Sequence, residues 1–152
     1  MKINNNLYLR SKRTVSSALG SINTMAQFRG YNRIVGSQQQ ITQGLATHAS
    51  IASAISGASD GYSIYILAGT YTENVLVNKQ GLFITGQGYS TFINGTLTFD
   101  TAGDFSRMRD LRINGNITFN AGSQGCYVDG MQTAASTVTN NGTDNYYLLQ
   151  DT

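Results

Sequence analysis

The sequence predicts an all-β protein: a short right-handed parallel β-helix, or solenoid, preceded by a short N-terminal cap helix and an extended N-terminal arm. Three observations carry that expectation. The segment Ile93-Asn94-Gly95-Thr96-Leu97-Thr98-Phe99 returns twenty residues later as Ile113-Asn114-Gly115-Asn116-Ile117-Thr118-Phe119, with five of seven positions identical and a Leu/Ile exchange at another. Periods near 20 residues built of strands and turns mark solenoids, because each coil buries its face only by stacking on its neighbours. From Gly61 onward the chain is a series of short β-rich runs divided by glycine and asparagine, with no run of helical length and period. Finally, 17 glycines, no proline and only 12% charged residues leave the corners to Gly and Asn, which tolerate positive φ.

In chain order, residues 1–46 show neither helical nor alternating periodicity, yet Leu7, Tyr8, Leu9, Met25, Phe28, Tyr31, Ile34 and Val35 are spread along them. Residues 1–59 hold Lys2, Arg10, Lys12, Arg13, Arg29 and Arg33 and no acid, a balance of +6. Residues 60–152 hold Lys79, Arg107, Arg109 and Arg112 against eight acids, a balance of −4. Two differently built segments share the chain: a basic arm over 1–46, and a cap helix with the solenoid over 47–152. The arm is expected either to order against a partner or to form a partly helical cap on its own subunit. As a docking surface it offers Tyr8, Arg10, Lys12, Arg13, Phe28, Arg29, Tyr31 and Arg33.

Thr47 to Gly57 reads as one helix, with Thr47 or Ser50 as N-cap, Ile51, Ala52, Ala54 and Ile55 on one face, and Gly57 at the exit. Strand runs follow at Ser63–Leu67, Asn74–Val77, Leu82–Ile84, Thr91–Ile93, Thr96–Phe99, Leu111–Ile113, Asn116–Phe119, Cys126–Val128, Thr137–Thr139 and Tyr146–Leu149. A weaker third copy of the repeat falls near Thr137-Val138-Thr139. Equivalent residues of successive coils lie about 4.8 Å apart, which sets Asn94 against Asn114 as a hydrogen-bonded ladder and Phe99 against Phe119 as a stack.

Composition excludes several chemistries. One cysteine, Cys126, permits no internal disulfide and reads as a small buried hydrophobe. His48 stands alone, so no closed zinc set is expected, and no cofactor motif is present. Gly86-Gln87-Gly88 precedes a strand rather than a helix and so lacks a phosphate cradle. Met1–Leu19 lacks the apolar run of a secretory signal and nothing approaches the ~20 apolar residues of a membrane span, so assembly in a cytoplasm is the expectation. Arg10-Ser11-Lys12-Arg13 is too short a basic run to favour nucleic acid over an acidic protein partner.

Ile51-Ala52-Ser53-Ala54-Ile55, Ile64-Tyr65-Ile66, Ala68-Gly69-Thr70-Tyr71 and Glu73-Asn74-Val75-Leu76-Val77 form an ordered set with Lys79, Leu82-Phe83-Ile84, Gly86-Gln87-Gly88 and Thr91-Phe92-Ile93. This set resembles the opening of the pectinesterase and pectate-lyase-like β-helix superfamily over a little over a quarter of the chain. The resemblance implies the fold, and places carbohydrate chemistry on later coils. A pectinesterase-like site would need two aspartates and an arginine in motifs such as Gly-x-x-Asp-Phe and Arg-Pro-Trp. Gly103-Asp104-Phe105 gives a fragment of the first, and a chain without proline or tryptophan has no copy of the second. Asp100, Asp104, Asp110 and Asp129, with Arg107, Arg109 and Arg112, are the remaining acid/base candidates, and they read more simply as surface charges paired with one another. No catalytic residue is assigned.

A basic arm, a cap helix and a polar solenoid together resemble the plan of bacteriophage tail fibres, tailspikes and head appendages. That plan implies a non-enzymatic virion structural protein, an oligomer and most simply a trimer, whose arm docks on virion proteins and whose coil forms a stalk or a receptor-facing part. Open strand edges at the end of a stack of about four coils also call for a cover. The alternative is a β-helix that degrades or binds polysaccharide, such as a host-surface glycan, with Tyr65, Tyr71 and Tyr89 as stacking faces.

Overall fold

The computed structural model of the chain describes residues 31–151. Twelve strands run in the order β1 (Arg33–Val35), β2 (Ser63–Ile66), β3 (Gly69–Tyr71), β4 (Val75–Val77), β5 (Phe83–Gly86), β6 (Thr91–Ile93), β7 (Leu97–Phe99), β8 (Arg107–Ile113), β9 (Ile117–Phe119), β10 (Tyr127–Gln132), β11 (Val138–Asn140) and β12 (Tyr146–Asp151). Two short helices, α1 (Gln38–Thr42) and α2 (Ile51–Ser56), lie between β1 and β2. The pairings are parallel, and the strands stack as a β-solenoid of about four turns. A large sheet stacks β1-β2-β5-β8-β10-β12, with β3 and β6 joining it beside β8, and a four-stranded sheet stacks β4-β7-β9-β11.

Each turn therefore visits the large sheet, rounds a corner and returns along the small one. In the first turns a corner splits the large-sheet strand in two, as β2/β3 and β5/β6. In later turns the strand runs through, and on β8 the corner is absorbed by Asp110 at φ 57°, the extra residue that shifts the register with β10 between Asp129 and Gly130. The sequence repeat is a pair of neighbouring coils: Leu97, Thr98 and Phe99 pair with Ile117, Thr118 and Phe119, which pair in turn with Val138, Thr139 and Asn140.

Alternation of side chains along each strand sends one set into the coil. Ile64, Ile84, Met108 and Val128 form one fully buried column, and Val75, Leu97 and Ile117 another. Phe99 and Phe119 are 0% exposed, with stacked rings 5.1 Å apart at 18°. At the corner before these strands, Asn114 Nδ2 donates to Asn94 Oδ1 at 2.8 Å, and Thr133 Oγ1 donates to Asn114 Oδ1 at 3.0 Å.

The first end of the stack is closed. Ser50 caps α2 by accepting from Ser53 N, and Gly57 ends it. Ile51, Ala54 and Ile55 enter the core at helical spacing, whereas Ala52, expected on that face, lies a third of a turn round and is exposed. Part of the expected arm also belongs to the folded body. β1 pairs with β2, and Ile34, Ala46 and Leu67 form a second small core with Ile41, Leu45 and Tyr65. Burial of that apolar set is what draws residues 33–46 onto the solenoid.

Candidate functional site

Of the four aspartates expected as acid/base candidates, Asp100 and Asp104 are tied into the stack, as are Asp60 and Glu73, which the sequence had not singled out. Asp60 Oδ1 accepts from Gln80 N at 2.9 Å, and Asp104 Oδ1 accepts from Gln124 N at 2.8 Å, each reaching the amide of the next coil. These two border a cleft of about 410 Å³ with Asn78, Lys79, Gln80, Thr101 and Ala102. Asp100 Oδ1 accepts from Thr101 N and Asn120 Nδ2. Asp110 is paired with its neighbour Arg109 at 2.7 Å, an exposed pair that raises the guanidinium pKa further through that hydrogen bond and its charge. Asp129 lies opposite Arg109 on β10. Glu73 accepts from Ile51 N and Ala52 N, both at 2.9 Å, and so ties the cap helix to the first coil. Among the described residues no group of three His, Cys, Asp or Glu side chains is placed to hold a metal.

A different constellation stands on the outer face of the large sheet. Arg107, Tyr127 and Tyr146 are in register on β8, β10 and β12. With Gly125 and Asp144 they line a groove of about 440 Å³. The corner beside it carries one left-handed residue per coil: Gly61 (φ 76°), Gly81 (65°), Phe105 (59°), Gly125 (63°) and Asp144 (54°). Their stacking follows from the hydrogen bonds Gly61 N to Gln80 O, Gly81 N to Asp104 O, Phe105 N to Gln124 O and Gly125 N to Thr143 O.

Two members of this column are not glycine, Asp144, whose short polar side chain tolerates the conformation, and the bulky Phe105. A bulky residue at positive φ costs about 1–2 kcal/mol where glycine costs nothing. The residue is nonetheless 52% exposed, and its ring leans over Gly125, where a Cβ would come within 2.6 Å of it. Strain of this kind is characteristic of working surfaces. The groove offers aromatic faces for stacking, a guanidinium and one lining carboxylate, which suits holding a polyhydroxylated ring and supplies no second carboxyl for hydrolysis. The residue pattern alone did not reveal this set. The signal was the coil offset, which aligns Phe105 with Gly81 and Gly125.

Of the docking residues, Tyr8, Arg10, Lys12, Arg13, Phe28 and Arg29 lie outside the described residues. Tyr31 packs on Tyr65 with ring centroids 5.0 Å apart. Arg33 donates to Gly57 O and, from Nη1, to His48 Nε2 at 2.6 Å, and sits 5.7 Å from the Tyr62 ring centre. Since the guanidinium is always a donor, His48 Nε2 accepts, and the proton on Nδ1 goes to Thr47 Oγ1 at 2.8 Å. Burial, then the Arg33 charge, hold His48 below its ordinary pKa. Of the tyrosines named for stacking, Tyr71 is buried with its hydroxyl donating to Leu67 O at 2.8 Å, and burial pushes its pKa up to about 12. Tyr89 is 55% exposed.

No family model and no curated protein matches the chain. Among solved structures it is similar to a pectin methylesterase mutant crystallised in complex with a hexasaccharide, at 14% identity and a TM-score of 0.44, over 74% of this chain. The likeness spans 54% of that enzyme, so the chain corresponds to about half its length.

Proposed function

We propose that the chain is a non-enzymatic structural protein of a bacteriophage virion, an appendage or tail-fibre or tailspike-like subunit that assembles as a homotrimer. Its basic N-terminal segment anchors it to virion proteins, and its solenoid forms a stalk or receptor-facing part. The observation that supports a scaffold over an enzyme is the use of its carboxylates: Glu73, Asp60, Asp100 and Asp104 all accept hydrogen bonds that join helix, coil or corner. The virion placement rests on the plan of the chain, a segment of +6 followed by a polar solenoid of −4. Incubation of the purified protein with capsular and pectic polysaccharides tests the first part, and release of reducing ends, methanol or unsaturated products would sink it. Light scattering tests the second, where a monomer that stays monomeric beside virion proteins would remove the assembly role.

A second reading, polysaccharide binding without cleavage, is favoured by one observation, the groove of Arg107, Tyr127, Asp144 and Tyr146 beside the strained Phe105. Titration of a glycan array with wild type and with Tyr127→Ala separates it from a purely structural face. Equal retention of every glycan by both proteins would remove it.

A further inference from the structure

The polar cleft and the aromatic groove share one flank of the stack. The cleft runs from Asp60 by Gln80 to Asp104, and the groove from Arg107 by Tyr127 to Tyr146. Hydrogen bonds set Asp60 beside Gln80, Gly81 beside Asp104 and Asp104 beside Gln124 in successive coils. The coil that carries Asp104 and Arg107 therefore ends the cleft and begins the groove. It is also the coil that has Phe105 at the left-handed corner, where the coils on either side have Gly81 and Gly125.

Phe105 and Ser106 are all that separates Asp104 from Arg107, so the walls of the two recesses stand at most about 10–11 Å apart. The Phe105 ring leans over Gly125, itself part of the groove wall, and the residue is about half exposed. It forms a ridge with a polar recess on one side and an aromatic one on the other. From Asp60 to Tyr127 this strip crosses three strand spacings and that gap, about 17 Å in all, more than a disaccharide spans.

The lining selects the occupant. Oδ1 of Asp60 and of Asp104 is taken by a backbone amide, and among the described residues Oδ2 of each has no protein partner. Neither Lys79 nor Arg107 is in an ion pair among those residues. Asn78 Oδ1, buried at the cleft wall, has no hydrogen-bond partner, an acceptor that the protein alone leaves unserved. Such groups donate to and accept from hydroxyls, while Phe105 and Tyr127 offer faces to the apolar side of a sugar ring. Two cations, Lys79 and Arg107, are mixed with three carboxylates, Asp60, Asp104 and Asp144. A polyanion would meet the carboxylates and a polycation the cations, whereas an uncharged ligand uses both as hydrogen-bonding groups.

We propose that the two recesses are one site, which takes an uncharged oligosaccharide longer than a disaccharide, laid across the Phe105 ring from the Lys79 cleft to the Tyr127 groove. This rests on the polysaccharide-binding reading above and extends it in length and in ligand class.

The test is isothermal titration calorimetry of the full chain with disaccharides and hexasaccharides of glucose, mannose, galactose and N-acetylglucosamine, and with a galacturonate hexasaccharide. In at least one neutral series the hexasaccharide is expected to bind about tenfold or more tightly than the disaccharide. Lys79→Ala and Tyr127→Ala are each expected to weaken that hexasaccharide by about tenfold, the loss of one charge-assisted hydrogen bond or one stacking face. The hydrogen bond by which Lys79 serves the coil comes through its carbonyl, accepting from Ser106 Oγ at 2.8 Å, so Lys79→Ala leaves the coil intact. A hexasaccharide weakened by Tyr127→Ala and untouched by Lys79→Ala overturns the joined site and leaves the groove reading standing. Preference for the galacturonate over every neutral series overturns the ligand class. Binding of none of these oligosaccharides overturns the proposal and the polysaccharide reading together.

Discussion

Glu73 fastens the cap helix, and its removal is the sharpest test of how the first end of the solenoid is held. Its two oxygens take the amides of Ile51 and Ala52 at 2.9 Å each, at the positive end of α2. A hydrogen bond to a charged group is worth about 1.5–3 kcal/mol where shielded. The Ile51 amide belongs to a fully buried residue, so about 1.5 kcal/mol applies there, whereas Ala52 is exposed and water replaces most of its bond. Loss of the favourable charge at the helix terminus adds about 0.5 kcal/mol. Glu73→Ala is therefore expected to cost about 2–3 kcal/mol, and to lower the melting temperature by about 4–12 °C in a chain of this size. Glu73→Gln keeps one acceptor and loses the charge, for about half that cost. Urea titration at pH 7 followed by far-ultraviolet circular dichroism gives both values. Glu73→Ala within 0.5 kcal/mol of wild type, or equal costs for the two variants, would refute the clamp.

The other predictions concern the coils and their corners. A Cβ on Gly115 would stand 2.2 Å from Gly95 O, so Gly115→Ala is expected to cost about 2–3 kcal/mol by chemical denaturation, whereas Gly44→Ala, in open space at φ 73°, costs only the roughly 1 kcal/mol of its conformation. Phe105→Gly relieves about 1–2 kcal/mol of backbone strain but adds the chain entropy of glycine and loses the ring's contact over Gly125, so its stability stays within about 1 kcal/mol of wild type, against the 3–5 kcal/mol usual for truncating a buried phenylalanine; the same variant loses any glycan held in the groove. The folded state holds His48 neutral, so its contribution is present above the unfolded pKa near 6.5 and is lost as pH falls below it. The urea midpoint of wild type then drops between pH 7.5 and 5.5 more steeply than that of His48→Gln. Cys126 is buried, with its thiol donating to Gly103 O at 3.4 Å, and burial pushes its pKa up. Its reaction with a disulfide reagent at pH 8 is expected to be at least about a hundredfold slower in native than in urea-unfolded protein.

The repeat made the coil legible because two adjacent turns have equal corners. Ile93–Phe99 and Ile113–Phe119 kept the same residues at the same corner, and the offset gave the pairing of Leu97 with Ile117 and Phe99 with Phe119 directly. The outer turns were less legible where corners differ in length: Ile84 pairs with Met108 across a longer excursion that includes a short 3-10 turn at Gly88–Ser90. β1 escaped the pattern because Arg-Ile-Val is too short to alternate visibly. A signal was present in Ser37-Gln38-Gln39-Gln40, a capping box in which Ser37 N and Gln40 N exchange hydrogen bonds with the opposite side chains.

The aspartates were harder to place than the apolar residues, for a physical reason. A carboxylate at a solenoid corner meets the amide of the next coil about 4.8 Å away in the stack, so geometry alone converts it into a cap. Asp60 and Asp104 serve at one corner, while Asn74 and Asn116 take the same role toward Thr96 N and Thr137 N at another. Asp and Asn are interchangeable in that role, because either side-chain oxygen accepts from the amide. A catalytic pair has no such freedom, since its acid must carry and release a proton. That one corner uses Asp and another Asn for the same bond to the next coil argues that the coil uses them as acceptors, and it turns attention from the carboxylates to the face where a phenylalanine stands at a left-handed corner that three other coils give to glycine.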